Sequence, residues 1–245
     1  MSQTTHRIRM FAGPNGSGKS TIKSVISSTL LGIYINPDDI EKELRVQGGI
    51  DLTSFEIQAA AEEIQAYFHN SVLIRKTGLS EQVDSLKFET NFFALDAENV
   101  NSYYASVISD FIRQKLLELG KSFTFETVMS SSDKVELLQK AQAKGFRTYL
   151  YYVATEDPNI NISRVRHRVK AGGHNVSEEK IISRYKRSLD LLLEAIQNTN
   201  RAYIFDNSGH QQIWIAEITD GKNLEIKSER MPLWFQQSVI AKIKG

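Results

Sequence analysis

Residues 13–21 read Gly13-Pro14-Asn15-Gly16-Ser17-Gly18-Lys19-Ser20-Thr21, and the fold follows from this stretch. Gly13, Gly18, Lys19 and Ser20 meet the pattern G-x-x-x-x-G-K-[ST] of a phosphate-binding loop. An apolar run, Ile8 to Ala12, precedes it, and a helical pattern, Lys19 to Leu31, follows it. Strand, loop and helix in that order give the pattern a mechanism. Glycines let successive backbone N–H groups turn inward as an anion nest, and the helix adds the positive end of its dipole. The residues from Gly13 to Thr21 are therefore expected to hold a nucleoside triphosphate or something very like one. Lys19 is expected to reach the β/γ-phosphates, and the Ser20 hydroxyl to ligate Mg²⁺. The bland alternative is a glycine-rich turn between a strand and a helix.

Working outward, the chain has 245 residues, 41% hydrophobic and 24% charged, which suits one α/β domain with insertions better than two cores. A net charge of +1 leaves no bulk attraction to nucleic acid or membrane. The absence of cysteine excludes disulfides, thiolate zinc sites and thiol nucleophiles. No apolar stretch approaches the ~20 residues of a membrane span. Met1 to Arg9 are polar and lack a signal-peptide core, so a cytoplasmic protein with no membrane partner is expected.

Short β-branched and aromatic runs alternate with longer helical patterns. Candidate strands are Ile8–Ala12, Gly32–Ile35, Ser122–Glu126, Thr148–Ala154 and Ala202–Phe205. Helical stretches include Asp133–Lys144 and Glu178–Asn198. That alternation predicts a parallel sheet in a three-layer α/β sandwich of the P-loop NTPase class. Thr53 to Leu119 is mostly helical with no clear strand, which predicts a helical insertion over about 52–119, restarting near Gly78. Its core is expected from Phe92, Phe93, Tyr103, Tyr104 and Phe111. Asp220-Gly221 between Ile213–Thr219 and Leu224–Ser228 reads as a hairpin, and Pro232 to Lys244 as a final helix.

Chemistry is expected where strands end. Asn36-Pro37-Asp38-Asp39 follows the second strand, and a carboxylate there could take the proton of an attacking hydroxyl. Asp38 or Asp39 could equally just cap the next helix. Glu126 ends the third strand and could hold Mg²⁺ through water or fix the acceptor; otherwise it is a solvent-facing strand end. Asp206-Asn207-Ser208 could contact the nucleotide, although a turn is the favoured reading. Ile160 to Ser188 carries eight cations against Glu178 and Glu179, a net +6 within a chain of +1. Arg164 and Arg168 are four apart on one helix face, where like charges cost roughly 0.2–0.5 kcal/mol per pair unless an anion offsets them. With Ala171-Gly172-Gly173-His174 as a flexible break, the segment reads as a hinged basic lid over about 159–188 that supplies arginines to the transferring phosphoryl group. A solvated basic helix pair or a nucleic-acid patch is the alternative. Tyr185 is the lone aromatic there, so nucleic acid is disfavoured. His6, His69, His167, His174 and His210 show no metal-ligand spacing.

These segments together resemble the zeta-toxin family of P-loop kinases: the loop, Ile35-Asn36-Pro37-Asp38-Asp39, Phe123-Thr124-Phe125-Glu126-Thr127, Ala143-Lys144-Gly145-Phe146, Arg164…Arg168…Gly172-Gly173-His174, Ile182-Ser183-Arg184-Tyr185 and Asp206-Asn207-Ser208. The resemblance runs from Arg7 to Ser208 and is weak over Leu52 to Glu118 and over the C-terminal hairpin; one kinase-like domain over residues 1–245 is expected, with the hairpin and final helix at about 211–245. It implies ATP and Mg²⁺, and transfer of the γ-phosphate to a hydroxyl of a small-molecule acceptor such as a UDP-linked amino sugar. Lys19 and Ser20 match the phosphate and metal residues, Asp38 the catalytic aspartate, Glu126 the acidic residue after the third strand, and Arg168 and Arg184 the lid arginines. The family's Asp-x-Asp is here Asn36-Pro37-Asp38. A P-loop ATPase without a small acceptor, or a toxin-like body inhibited by an antitoxin, are the competing readings. Lys19→Ala is expected to abolish nucleotide binding, measured by titration with ATP; unchanged binding would remove the loop from the site.

Overall fold

The computed structural model describes residues 5–173 and 175–244; His174, expected at the lid tip, lies outside them. Ten strands occur among the described residues: β1 Arg7–Ala12, β2 Ile33–Ile35, β3 Gly49–Asp51, β4 Lys87–Glu89, β5 Phe92–Ala94, β6 Phe123–Thr127, β7 Arg147–Ala154, β8 Arg201–Asp206, β9 Ile213–Thr219 and β10 Asn223–Ile226. The five predicted strands are all present, shifted by a residue or two. The chain divides into two compact units, residues 1–31 with 124–245, and residues 32–123.

In the first unit the strands lie in the order β10-β9-β8-β7-β1-β6. β1, β7 and β8 are parallel. β9 and β10 run antiparallel as an edge hairpin. The result is a mixed α/β fold on a mostly parallel sheet. β1 and β7 carry nearly continuous apolar residues (Ile8, Met10, Phe11 and Ala12; Leu150, Tyr152, Val153 and Ala154), all fully buried, as strands covered on both faces require. Asp220 and Gly221 take φ of 49° and 65°, the primed geometry that twists with the hairpin strands. The register sets Ala12 opposite Tyr152 and Ala154 opposite Asp206. The segments after Ala12, Ala154 and Asp206 therefore emerge side by side at the carboxyl edge.

Helical patterns longer than one helix are broken. Lys19 to Leu31 forms Lys19–Val25 and a turn, Ser28–Leu31. Between them Ile26 is extended, and the Ser27 and Thr29 hydroxyls bond each other at 2.8 Å. Hydroxyl side chains compete with the helical ladder in this way. Glu178 to Asn198 likewise divides into Glu178–Asp190 and Leu192–Gln197. The C-terminal segment buries Trp234, Phe235 and Val239. The Trp234 indole donates to Asp206 Oδ1 at 2.9 Å.

The second unit departs from the expected purely helical insertion. β3, β5 and β4 form a small antiparallel sheet with β5 central. Each strand has three residues, too short for an alternation to show in sequence. The β4–β5 turn is made by Asn91 at φ 62°, a position asparagine tolerates. Phe93, Tyr104 and Phe111 are buried as expected, whereas Phe92 and Tyr103 are half-buried. Phe68, absent from the predicted core, packs on Phe93 with ring centroids 4.7 Å apart. No described helix is long and apolar enough to cross a membrane.

Trp234→Phe removes one donor from the buried Asp206 carboxylate while Ser208 Oγ still donates to the same oxygen at 2.6 Å. A loss of about 1 kcal/mol is expected, read as a shift of the urea midpoint.

Candidate nucleotide site

The loop after β1 is packed so closely that its glycines have no substitutes. Gly13 has φ 143°, and a Cβ there would stand 2.0 Å from the Val153 carbonyl oxygen. Gly16 has φ 73°, and its Cβ would lie 2.6 Å from the Asn161 carbonyl oxygen. The loop is thus held between the end of β7 and the first turn of the helix Pro158–Lys170. The Ser17 amide closes a turn on the Pro14 carbonyl at 3.2 Å. The Lys19 ammonium donates to the Gly13 and Pro14 carbonyls at 2.8 and 3.2 Å. Ser17 is fully buried, and its Oγ meets no hydrogen-bonding partner among the described residues. Ser20 and Thr21 are exposed.

Two asparagines clamp this loop from neighbouring strand ends. Asn207 follows β8, and its amide N–H donates to the Ala154 carbonyl at 2.9 Å. Its side-chain Nδ2 donates to the Ser17 carbonyl at 2.8 Å. Asn207 therefore touches the loop, while its neighbours behave as the turn reading expects: Ser208 Oγ donates to Asp206 Oδ1 and accepts from the Glu156 amide at 2.8 Å. Asn161 donates through Nδ2 to the Asn15 carbonyl at 2.6 Å. Sequence reading missed Asn161. Asp157-Pro158 signals a helix start and puts residue 161 in its first turn, but nothing local shows which way the side chain reaches.

The basic segment forms two helices, Pro158–Lys170 and Glu178–Asp190. Asp157 caps the first by accepting from the Asn159 amide at 2.7 Å. The expected flexible break at Ala171-Gly172-Gly173 is a built helix end: Gly173 N–H donates to Arg168 C=O and Gly172 N–H to Val169 C=O, both at 2.9 Å, a Schellman motif. Ile162, Val165, Val176 and Ile181 pack together beneath it. Arg166 Nε donates to Glu178 Oε1 at 3.0 Å and ties the helices on the outside. Arg164 and Arg168 are half-buried, whereas Arg166, His167 and Lys170 are exposed, so the four-residue spacing puts the first pair inward. Arg164 Nη2 donates to Gly209 O at 3.4 Å, and Nη1 is buried without a hydrogen-bonding partner. Arg184 is half-buried and Lys186 and Arg187 exposed. Tyr185 is no stacking surface; its hydroxyl donates to the Thr155 carbonyl at 2.6 Å, and burial pushes its phenol pKa well up.

Glu126 is half-buried near the end of β6, and Thr127 Oγ1 accepts from the Met129 amide at 2.9 Å. Asp38 and Asp39 belong to the second unit, exposed in the first turn of the helix Pro37–Gln47. The cap there is Asn36, whose Oδ1 accepts from the Asp38 amide at 3.0 Å; neither aspartate caps the helix. No group of three or more His, Asp or Glu side chains suited to a metal occurs among the described residues.

The family model described as "Zeta toxin" matches residues 59–219. The match takes in Glu126, Arg168 and Arg184 and begins after the glycine loop. It also covers most of the insertion, over which the resemblance read from the sequence is weak. An uncharacterized protein of Haemophilus influenzae is 32% identical over 63 residues, 26% of this chain and 45% of that protein. Crystal structures of AvrRxo1-ORF1 in complex with AvrRxo1-ORF2 share the fold. The one with sulphate ions has a TM-score of 0.54 at 12% identity, over 93% of this chain and 62% of that one. The one with ATP has a TM-score of 0.53 at 13% identity, over 92% and 61%. The chain thus spans about three-fifths of these structures and less than half of the Haemophilus relative.

Gly13→Ala brings a methyl group against a backbone oxygen that cannot yield, at a φ that alanine avoids. The variant is expected to lose nucleotide binding by about tenfold or more and to unfold several degrees earlier, on the order of 1–2 kcal/mol. Calorimetric titration and a thermal melt check the two effects separately.

Proposed function

As this chain belongs to the zeta-toxin family, we propose that it is an ATP-dependent phosphotransferase that passes the γ-phosphoryl group to a hydroxyl of a small acceptor. The observation that carries the reading is the loop itself, a backbone cradle that admits no Cβ at Gly13 or Gly16, with Lys19 folded onto its rim. Two buried donors suit an anion: the Ser17 hydroxyl in the loop and Arg164 Nη1 on the adjoining helix both lack a hydrogen-bonding partner among the described residues. Triphosphate oxygens are the complementary acceptors. The residues Gly13 to Thr21 would hold ATP, and Ser20 would be the protein's ligand to Mg²⁺, which supplies charge neutralisation between the phosphates when bound.

In the proposed step the acceptor oxygen attacks the γ-phosphorus as the bond from γ-phosphorus to the β,γ-bridging oxygen breaks, leaving ADP. The acceptor proton passes to a carboxylate, assigned to Asp38 by the family pattern with Asp39 as the alternative. Arg168 and Arg184 would stabilise charge on the transferring group, and Glu126 would orient the metal's water or the acceptor. Phosphoryl transfer needs little covalent help from protein, so most of the acceleration would come from positioning and charge. A UDP-linked amino sugar is the acceptor class that the family pattern favours. A protein partner that restrains the enzyme, as an antitoxin does, is a further element of the proposal, as is a cytoplasmic setting; AvrRxo1-ORF1 was crystallised together with a second chain, AvrRxo1-ORF2.

Transfer of labelled γ-phosphate from ATP·Mg²⁺ to UDP-N-acetylglucosamine and a panel of nucleotide sugars tests this. A phosphorylated sugar nucleotide is expected, falling by roughly 10²–10⁴ in Asp38→Asn with ATP affinity retained. The same loss in Asp39→Asn instead would move the base by one residue. Arg168→Ala and Arg184→Ala are expected to lower kcat more than they raise KM. Phosphate release indifferent to every acceptor would replace the kinase with an ATPase.

A further inference from the structure

β7 ends at Ala154, and the next residue, Thr155, is a buried junction. Its carbonyl accepts the Tyr185 hydroxyl at 2.6 Å. Its own hydroxyl donates to Asn161 Oδ1, with the Asp157 carbonyl 3.3 Å away as a weaker second acceptor. Both basic helices are therefore fastened to the same point of the sheet edge. Asn161 is fully buried, and its amide has an acceptor end and a donor end. The Asn15 carbonyl can only accept, so Nδ2 must face it, and the Thr155 hydroxyl satisfies the opposite end. One residue further along the loop, Gly16 lies so close to the Asn161 backbone that a Cβ would be 2.6 Å from its oxygen. Asn161 thus grips two consecutive loop residues, one by a hydrogen bond and one by contact.

The same helix carries Arg164 and Arg168, about one and two turns beyond Asn161. We infer that Asn161, oriented by Thr155, is a positioning residue for nucleotide binding: it fixes the phosphate loop to the arginine helix so that loop and arginines meet the triphosphate as one preorganised piece. The inference rests on the proposed nucleotide site and extends it to a residue outside the glycine loop. Preorganisation of this kind acts on affinity and rate by removing the cost of ordering the loop when ligand binds.

Two variants test it. Asn161→Asp keeps the size but turns an acceptor toward the Asn15 carbonyl. Thr155→Val keeps the volume and the carbonyl held by Tyr185 but removes the hydroxyl that orients the amide. Hydrogen exchange of a peptide spanning residues 13–18, measured without nucleotide, is expected to quicken about tenfold in Asn161→Asp and less in Thr155→Val, the size of one buried hydrogen bond. ATP·Mg²⁺ affinity is expected to fall in the same order. If Asn161→Asp fails to fold, Thr155→Val carries the test. Exchange at the loop unchanged in the folded variants, or quickened uniformly across the chain, would overturn the inference, the latter by showing a merely structural core residue. Wild-type protein that binds no ATP would instead overturn the proposed function, while the exchange measurement would still decide the latch.

Discussion

The close approach of the loop backbone to the end of β7 is the constraint on which the site depends. Val153 presents its carbonyl oxygen where any side chain at Gly13 would have to stand. That contact is possible because parallel strands β1 and β7 are paired in a register that ends them two residues apart. Once the loop is seated there, its outer side meets whatever follows Ala154 and Asp206. Asn161 and Asn207 donate there to the loop carbonyls of Asn15 and Ser17, and Thr155 orients the first of them. The loop is held from outside by hydrogen bonds on its Asn15 and Ser17 carbonyls and from within by the Ser17 amide on the Pro14 carbonyl.

Charge is arranged around the same centre. A segment of net +6 would repel itself if all its side chains pointed to one side. The fold separates them. Arg166 is spent outward on Glu178, while Arg164 and Arg168 turn inward and are half-buried. Partly buried guanidinium groups interact with an anion in a lower effective dielectric than exposed ones, so in the proposed site the inward pair would have the greater leverage on a phosphate. A small apolar cluster and a Schellman cap keep the two helices in that arrangement.

The second unit follows a different logic. Its core is aromatic, centred on Phe68 and Phe93, and its three short strands hold together through β5. Asn36, standing where the family pattern has an aspartate, serves its helix as cap and so orders the turn that carries Asp38. A neutral cap there satisfies the Asp38 amide without adding a third carboxylate to Asp38 and Asp39 in the first turn.

Much of this was legible in the residues alone. The glycine spacing, the flanking strand and Lys19 announced a phosphate loop, because a backbone that must adopt positive φ leaves few choices of residue. The main strands could be read from apolar runs, and the hairpin from Asp220-Gly221, since both are local preferences. The small sheet at β3, β4 and β5 could not, because three-residue strands are made by their partners rather than by their own pattern. Nor could Asn161, whose importance lies in a bond to a residue 146 positions away. Sequence by itself determined which chemical groups the site owns and which backbone shapes it can take. Only the tertiary structure decided which asparagines meet the loop and which arginines turn inward, because those depend on strand register and helix packing that no short stretch of chain encodes.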